Sequence, residues 1–85
     1  MRIREVLEEL SRVIQRRVNT VEDLLLFSES IEVAANQLSI DEIELSLVLR
    51  KCLVIIDSYL AGMCEDNEER VDKTELAFRI KRTYF

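Results

Sequence analysis

Few side chains in this sequence are equipped for chemistry, and those that are stand in patterns that chemistry does not use. The densest group of potential ligands is the run Cys64-Glu65-Asp66-Asn67-Glu68-Glu69. A calcium loop needs alternating oxygen ligands, a central glycine for its sharp turn and a bidentate glutamate at its end, and this run contains no glycine. It is expected to be a linker whose acids open a fourth helix, where the backbone dipole favours negative charge. Asp41 and Glu44 are spaced to share a helical face, but no apolar wall is visible that would tune either carboxyl for acid-base work.

Cys52 and Cys64 match neither a CxxC redox motif nor a zinc ligand set. They are expected to be reduced thiols of an intracellular, cytoplasmic protein, with Cys52 packed as a small hydrophobe. The sequence has no histidine, so no imidazole base, Ser-His or Cys-His pair or histidine-bound metal can be assembled. A single glycine, Gly62, excludes a P-loop and a GxGxxG turn. The expectation is a protein with no catalytic residues, no metal and no cofactor.

These side chains sit on a chain of 85 residues, 48% hydrophobic and 34% charged, the balance of one small folded domain with a thin core. Met1-Arg2-Ile3-Arg4-Glu5 leads into an amphipathic pattern without the apolar stretch of a signal peptide. The most apolar window, Ile43 to Met63, holds Glu44, Arg50, Lys51 and Asp57, which argues against a membrane span and a membrane partner. A net charge of −5 disfavours nucleic acid as a ligand. The charge is unevenly spread: residues 1–18 sum to +2, residues 19–69 to −10 and residues 70–85 to +3.

Hydrophobic spacing predicts helices. Ile3, Val6, Leu7, Leu10, Val13, Ile14 and Val18 mark one stripe of a first helix over about 2–18, with Arg4, Glu8, Arg12 and Arg16 as a charge ladder on its outer face. Thr20 followed by Asp23 is the capping signature of a second helix over about 21–37. Its inward face is expected to hold Val21, Leu24, Phe27, Ile31, Ala34, Ala35 and Leu38. Ser39 with Glu42 predicts another cap, with Leu38 stapled onto Ile43, for a third helix over about 40–61. Gly62 suits the left-handed position that often follows a helix end.

The third helix is apolar on two sides. Leu45, Val48, Leu49, Cys52, Ile56, Tyr59, Leu60 and Met63 form a broad face, and Ile43, Leu47, Val54 and Ala61 a separate seam. The last segment, about 67–82, is expected to be a helix with Val71, Thr74, Phe78 and Phe85 on one face, rather than a strand lacking a partner. The run Phe78-Arg79-Ile80-Lys81-Arg82-Thr83-Tyr84-Phe85 interleaves bases with aromatics. It predicts a helical end with its aromatics packed inward, ahead of contact with a peptide or a nucleic acid.

The fold predicted is all-α: a small antiparallel bundle of three to four helices, dimeric through Ile43, Leu47, Val54 and Ala61. Opposite the core stripe of the second helix, Leu26 and Val33 stack among Glu22 and Glu29. This pair is either a docking patch for a partner with apolar and basic groups or a pair that another helix covers. The function expected is a non-catalytic protein–protein interaction module: a small regulator, adaptor or inhibitor that occupies another protein's surface. Two alternatives stand beside it. One is an acidic mimic of nucleic acid that blocks a basic site through Glu22, Glu29, Glu32, Asp41, Glu42 and Glu44; the other is a structural subunit of a homo-oligomer.

Overall fold

The computed structural model describes residues 3–63 and 66–84; expectations that fell on Arg2, Cys64, Glu65, Phe85 and the side chain of Tyr84 lie outside what it describes. Four α-helices follow in order: α1 (Ile3–Arg17), α2 (Val21–Asn36), α3 (Ile43–Ala61) and α4 (Lys73–Lys81). A 3-10 turn at Ile40–Glu42 leads into α3, and another at Arg82–Tyr84 extends α4. The chain is all-α, and no strand occurs among the described residues beyond an isolated bridge between Thr20 and Arg70.

The stripe of α1 buries Leu7 and Ile14, with Ile3, Val6 and Leu10 partly covered. Ser11 is the one polar side chain in that buried stripe, and its Oγ donates to Glu8 O at 2.8 Å, so its hydroxyl is not left unsatisfied. The outer face is charged, but Glu9, not Glu8, takes the guanidinium groups: Arg12 lies 2.8 Å and Arg16 3.7 Å from its carboxylate. Residues three and seven apart both reach Glu9 because it sits beside Arg12 and Arg16 on the helix surface.

Thr20 caps α2 in the expected way. Its Oγ1 accepts from Asp23 N at 3.3 Å, while Asp23 Oδ2 accepts from Asn19 N and Thr20 N at 3.0 and 3.2 Å. Those two backbone donors hold the Asp23 carboxyl below its usual 3.8. The next orphan donors are met from far along the chain: Val21 N donates to Glu69 O at 2.8 Å and Glu22 N to Asn67 O at 3.0 Å. Residues 66–72 are thus a strap across the start of α2 and not the first turn of a helix. This is why α4 begins at Lys73 instead of near residue 67. The strap is pinned by Val71 N to Asn19 O (3.0 Å), Lys73 Nζ to Asn19 Oδ1 (2.9 Å) and Asp72 N to Tyr59 Oη (2.7 Å). It leaves Glu69 Oε2 buried without a hydrogen-bond partner.

Because α4 starts where α1 ends and packs along it, the two are antiparallel. The turn after Asn36 sends α3 back along α2, where Arg50 Nη2 donates to Asn36 Oδ1 at 3.3 Å. The core joins Leu7, Ile14 and Val18 to Leu24, Ile31, Ala35, Val48, Cys52 and Ile56, and to Leu76, Ala77 and Ile80. The molecule measures 39 × 20 × 19 Å.

Several local expectations are corrected. Ser39 Oγ donates to the Glu42 carboxylate at 3.0 Å and caps no backbone N–H. Ile43 stays largely exposed while Leu38 turns to the core, and both line one depression at the α2–α3 turn. Gly62 lies at φ −89°, and its N–H bonds to Tyr59 O and Leu60 O without a left-handed residue. Ala34 is exposed, and α4 buries Leu76, Ala77 and Ile80 while Thr74 and Phe78 face outward.

Candidate interaction surfaces

Two of the groups singled out for chemistry, Cys52 and the strap residues 66–69, take part in the fold. Cys52 is fully buried on α3, and burial pushes its thiol up to about 11, against a smaller opposing effect of the Thr83 hydroxyl. A thiol held that high is almost wholly protonated at neutral pH and is a poor nucleophile. In the acidic strap, the carbonyls of Asn67 and Glu69 face α2 N–H groups, and Asp66 Oδ1 accepts from Glu68 N at 2.9 Å. Among the described residues, no three Cys, Asp or Glu side chains converge in a way that could hold a metal ion. Asp41 and Glu44 are both exposed. Among the described residues, no helix is long and apolar enough to cross a membrane.

What the structure does present is uncovered apolar surface on two helices. On α2, Leu26 is 59% and Val33 51% exposed. They follow from the sequence geometry: on a helix of 3.6 residues per turn, the core residues Leu24, Ile31 and Ala35 leave this pair on the far side. Together with Glu29, Ser30, Ala34 and Gln37 they line a shallow depression of about 470 Å³. Glu22 is exposed nearer the N-terminus of α2 and does not line it.

A second depression, of about 460 Å³, opens where α1 meets α2 and is lined by Val13, Arg17, Val18, Asp23, Leu26, Phe27 and Ser30. Leu26 and Ser30 belong to both, so the two form one trough running from Gln37 to Val13. Spacing alone points only to the α2 half, because it places Val13 and Phe27 in the core, whereas both are partly buried and line the hollow with one edge.

On α3, Ile43, Leu47 and Val54 are 59%, 55% and 66% exposed, and Ala61 is exposed as well. Ile40, in the 3-10 turn just before α3, extends this stripe and is the most exposed of all. It lies three residues before Ile43 and seven before Leu47, a spacing that was visible in the sequence but hidden by its place at a helix start. Arg50 and Lys51 are the only basic residues between 19 and 69; Arg50 falls in line with the stripe and Lys51 borders it.

Within the terminal run, Phe78 departs from its prediction. Phe78 is 56% exposed, and the guanidinium of Arg82 sits 5.3 Å from its ring centroid. Arg79 pairs with Glu75 at 2.9 Å. The exposed ring therefore meets a cation of its own helix end rather than the core.

Packing also rearranges the charge. The two basic ends meet where α1 lies against α4, so among the described residues segments 3–18 (+1) and 70–84 (+3) become one basic layer, while 19–63 and 66–69, at −9, form the α2/α3 layer and the strap. The chain matches no family model, no curated protein and no solved structure.

Proposed function

We propose that the protein is a non-catalytic protein–protein interaction module, a small regulator, adaptor or inhibitor that occupies a surface of another protein. The observation that carries this reading is the trough along α2, in which Leu26 is shared by two adjoining depressions. An apolar side chain at the centre of a polar-edged hollow is the arrangement in which a few residues supply most of the binding energy. The acidic layer around it favours a partner with apolar and basic groups, and long-range attraction would raise the rate of encounter.

The test is the double substitution Leu26→Ser and Val33→Thr, followed by circular dichroism and by affinity capture from the native host. Helicity is expected to stay unchanged while capture of the partner falls. Unfolding of the double variant would mean the pair is core and would remove the reading. A partner held only by the acidic layer, as in nucleic-acid mimicry, would instead be lost on raising the salt and would ignore the substitutions.

A second reading, a subunit of a homo-oligomer, is favoured by the α3 stripe, which is separate from the trough and has charges of both signs beside it, Glu44 and Lys51.

A further inference from the structure

Ile40, Ile43, Leu47, Arg50, Val54, Asp57 and Ala61 succeed one another at spacings of three and four, the repeat of a two-helix seam. The apolar members of this series are the exposed residues of the α3 stripe. Two positions of the seam are charged, Arg50 and Asp57, and they decide what can lie on it. A parallel copy would set Arg50 against its own equivalent and Asp57 against its own, like charges inside a closing contact. An antiparallel copy avoids both.

We propose that a second copy of this chain covers the stripe, its α3 running antiparallel about a two-fold axis beside residues 48 and 49. The proposal rests on the reading of the protein as an interaction module and names the partner of one of its two surfaces. In this register Ile43 meets Val54 of the partner subunit, Leu47 lies against the partner's Arg50, whose aliphatic stem can cover it, and Ile40 meets the partner's Asp57 at the wet end of the contact. Each pairing occurs twice because the contact is two-fold.

The edge beside the seam agrees. Glu44 and Lys51 are seven residues apart along it, and the same register brings Glu44 within about 3 Å, along the axis, of the partner's Lys51. The contact spans residues 40–57, about 26 Å of helix, and is one helix wide. It falls in the small class of specific interfaces, so the dimer is expected to form at tens to hundreds of micromolar rather than at nanomolar concentration.

The experiment has two parts. Sedimentation of the full chain across that concentration range is expected to show a reversible monomer–dimer equilibrium, weakened at least about ten-fold by Leu47→Glu with helicity unchanged. In a Cys64→Ser background, with buried Cys52 left in place, an Ile43→Cys chain mixed with a Val54→Cys chain is expected to form an inter-chain disulfide under mild oxidation. Neither variant alone should do so, because its two copies would stand about 16 Å apart along the axis, beyond disulfide reach. Cross-linking of the Ile43→Cys chain with itself would overturn the antiparallel register. A monomer at every concentration, or a dimer indifferent to Leu47→Glu, would overturn the second copy. If the chain is monomeric and Leu47→Glu abolishes binding of a different protein, the proposal fails while the interaction-module reading stands.

Discussion

The α1/α4 and α2/α3 pairs use the same helical period to different ends. In α1 the apolar residues occupy one stripe, which α4 and the core cover in large part; the outer face is charged, and there Glu9 pairs with Arg12 and Arg16. In α2 and α3 a covered side faces an uncovered one: Leu24 against Leu26, Ile56 against Val54. The first pair leaves less apolar surface open, at Phe78 on α4 and along Val6 and Leu10 on α1. The second buries only one of two apolar faces on each helix, and the surplus is where another molecule would gain most by docking. The contrast also runs in charge: among the described residues, +4 for the segments that form the first layer and −9 for the rest.

The largest effect that would break this contrast is at the neighbouring pair Ile56 and Val54. Ile56→Ala empties a fully buried site and is expected to cost about 2–5 kcal/mol in urea denaturation of the dilute chain. Val54→Ala, at a site 66% exposed, should change stability by no more than about 0.5 kcal/mol. Equal costs would mean that the α3 stripe is core after all.

Next in size is the junction where the two pairs meet. Thr20→Ala removes the side-chain cap of α2 and is expected to cost about 1 kcal/mol. Asp23 gives this junction a pH dependence. Its folded carboxyl lies below the usual 3.8, so the stabilisation it provides is fully present above that value and is lost as pH falls through the folded one. Urea midpoints of the wild type and Asp23→Asn, followed from pH 7 to pH 3, should therefore converge at the acid end. A gap that stays constant would show that the carboxylate charge is not what matters there.

Smaller changes sharpen the boundary of α3 and the surface of α1. Gly62→Ala is expected to stabilise by about 0.4–1 kcal/mol, because φ is negative and an added Cβ would sit 3.7 Å from Tyr59 O, an ordinary contact. A loss of stability would point to a left-handed residue in solution. Arg12→Ala should cost at most about 1 kcal/mol, shrinking further in high salt, since both it and Glu9 are more than half exposed.

Much of this architecture was legible residue by residue. The stripe of α1, the Thr20–Asp23 cap and the two-sided character of α3 all follow from spacing along one helix, and local geometry depends only on near neighbours. The failures share a cause as well. Ser39 and Gly62 carry strong local signals, but a tight 3-10 turn at one end and a short i→i+3 closure at the other satisfy the backbone in other ways. The strap was misassigned because acids before an apolar segment suit a helix start, while the donors that claim the carbonyls of Asn67 and Glu69 belong to α2, more than forty residues earlier. Phe78 was placed inward because periodicity gives a face without saying which face is covered.

The sequence by itself determined that the chain is helical, where its helices carry apolar residues, and that catalytic motifs built on histidine or glycine-rich turns are absent from it. Those properties are set by composition and by a 3.6-residue period that each helix obeys alone. Only the tertiary structure decided that the two basic ends share a layer, that the acidic linker caps α2, and that Leu26 joins two hollows into one trough. Each of these depends on which helix lies against which, and that choice is made by burial between residues far apart in the chain.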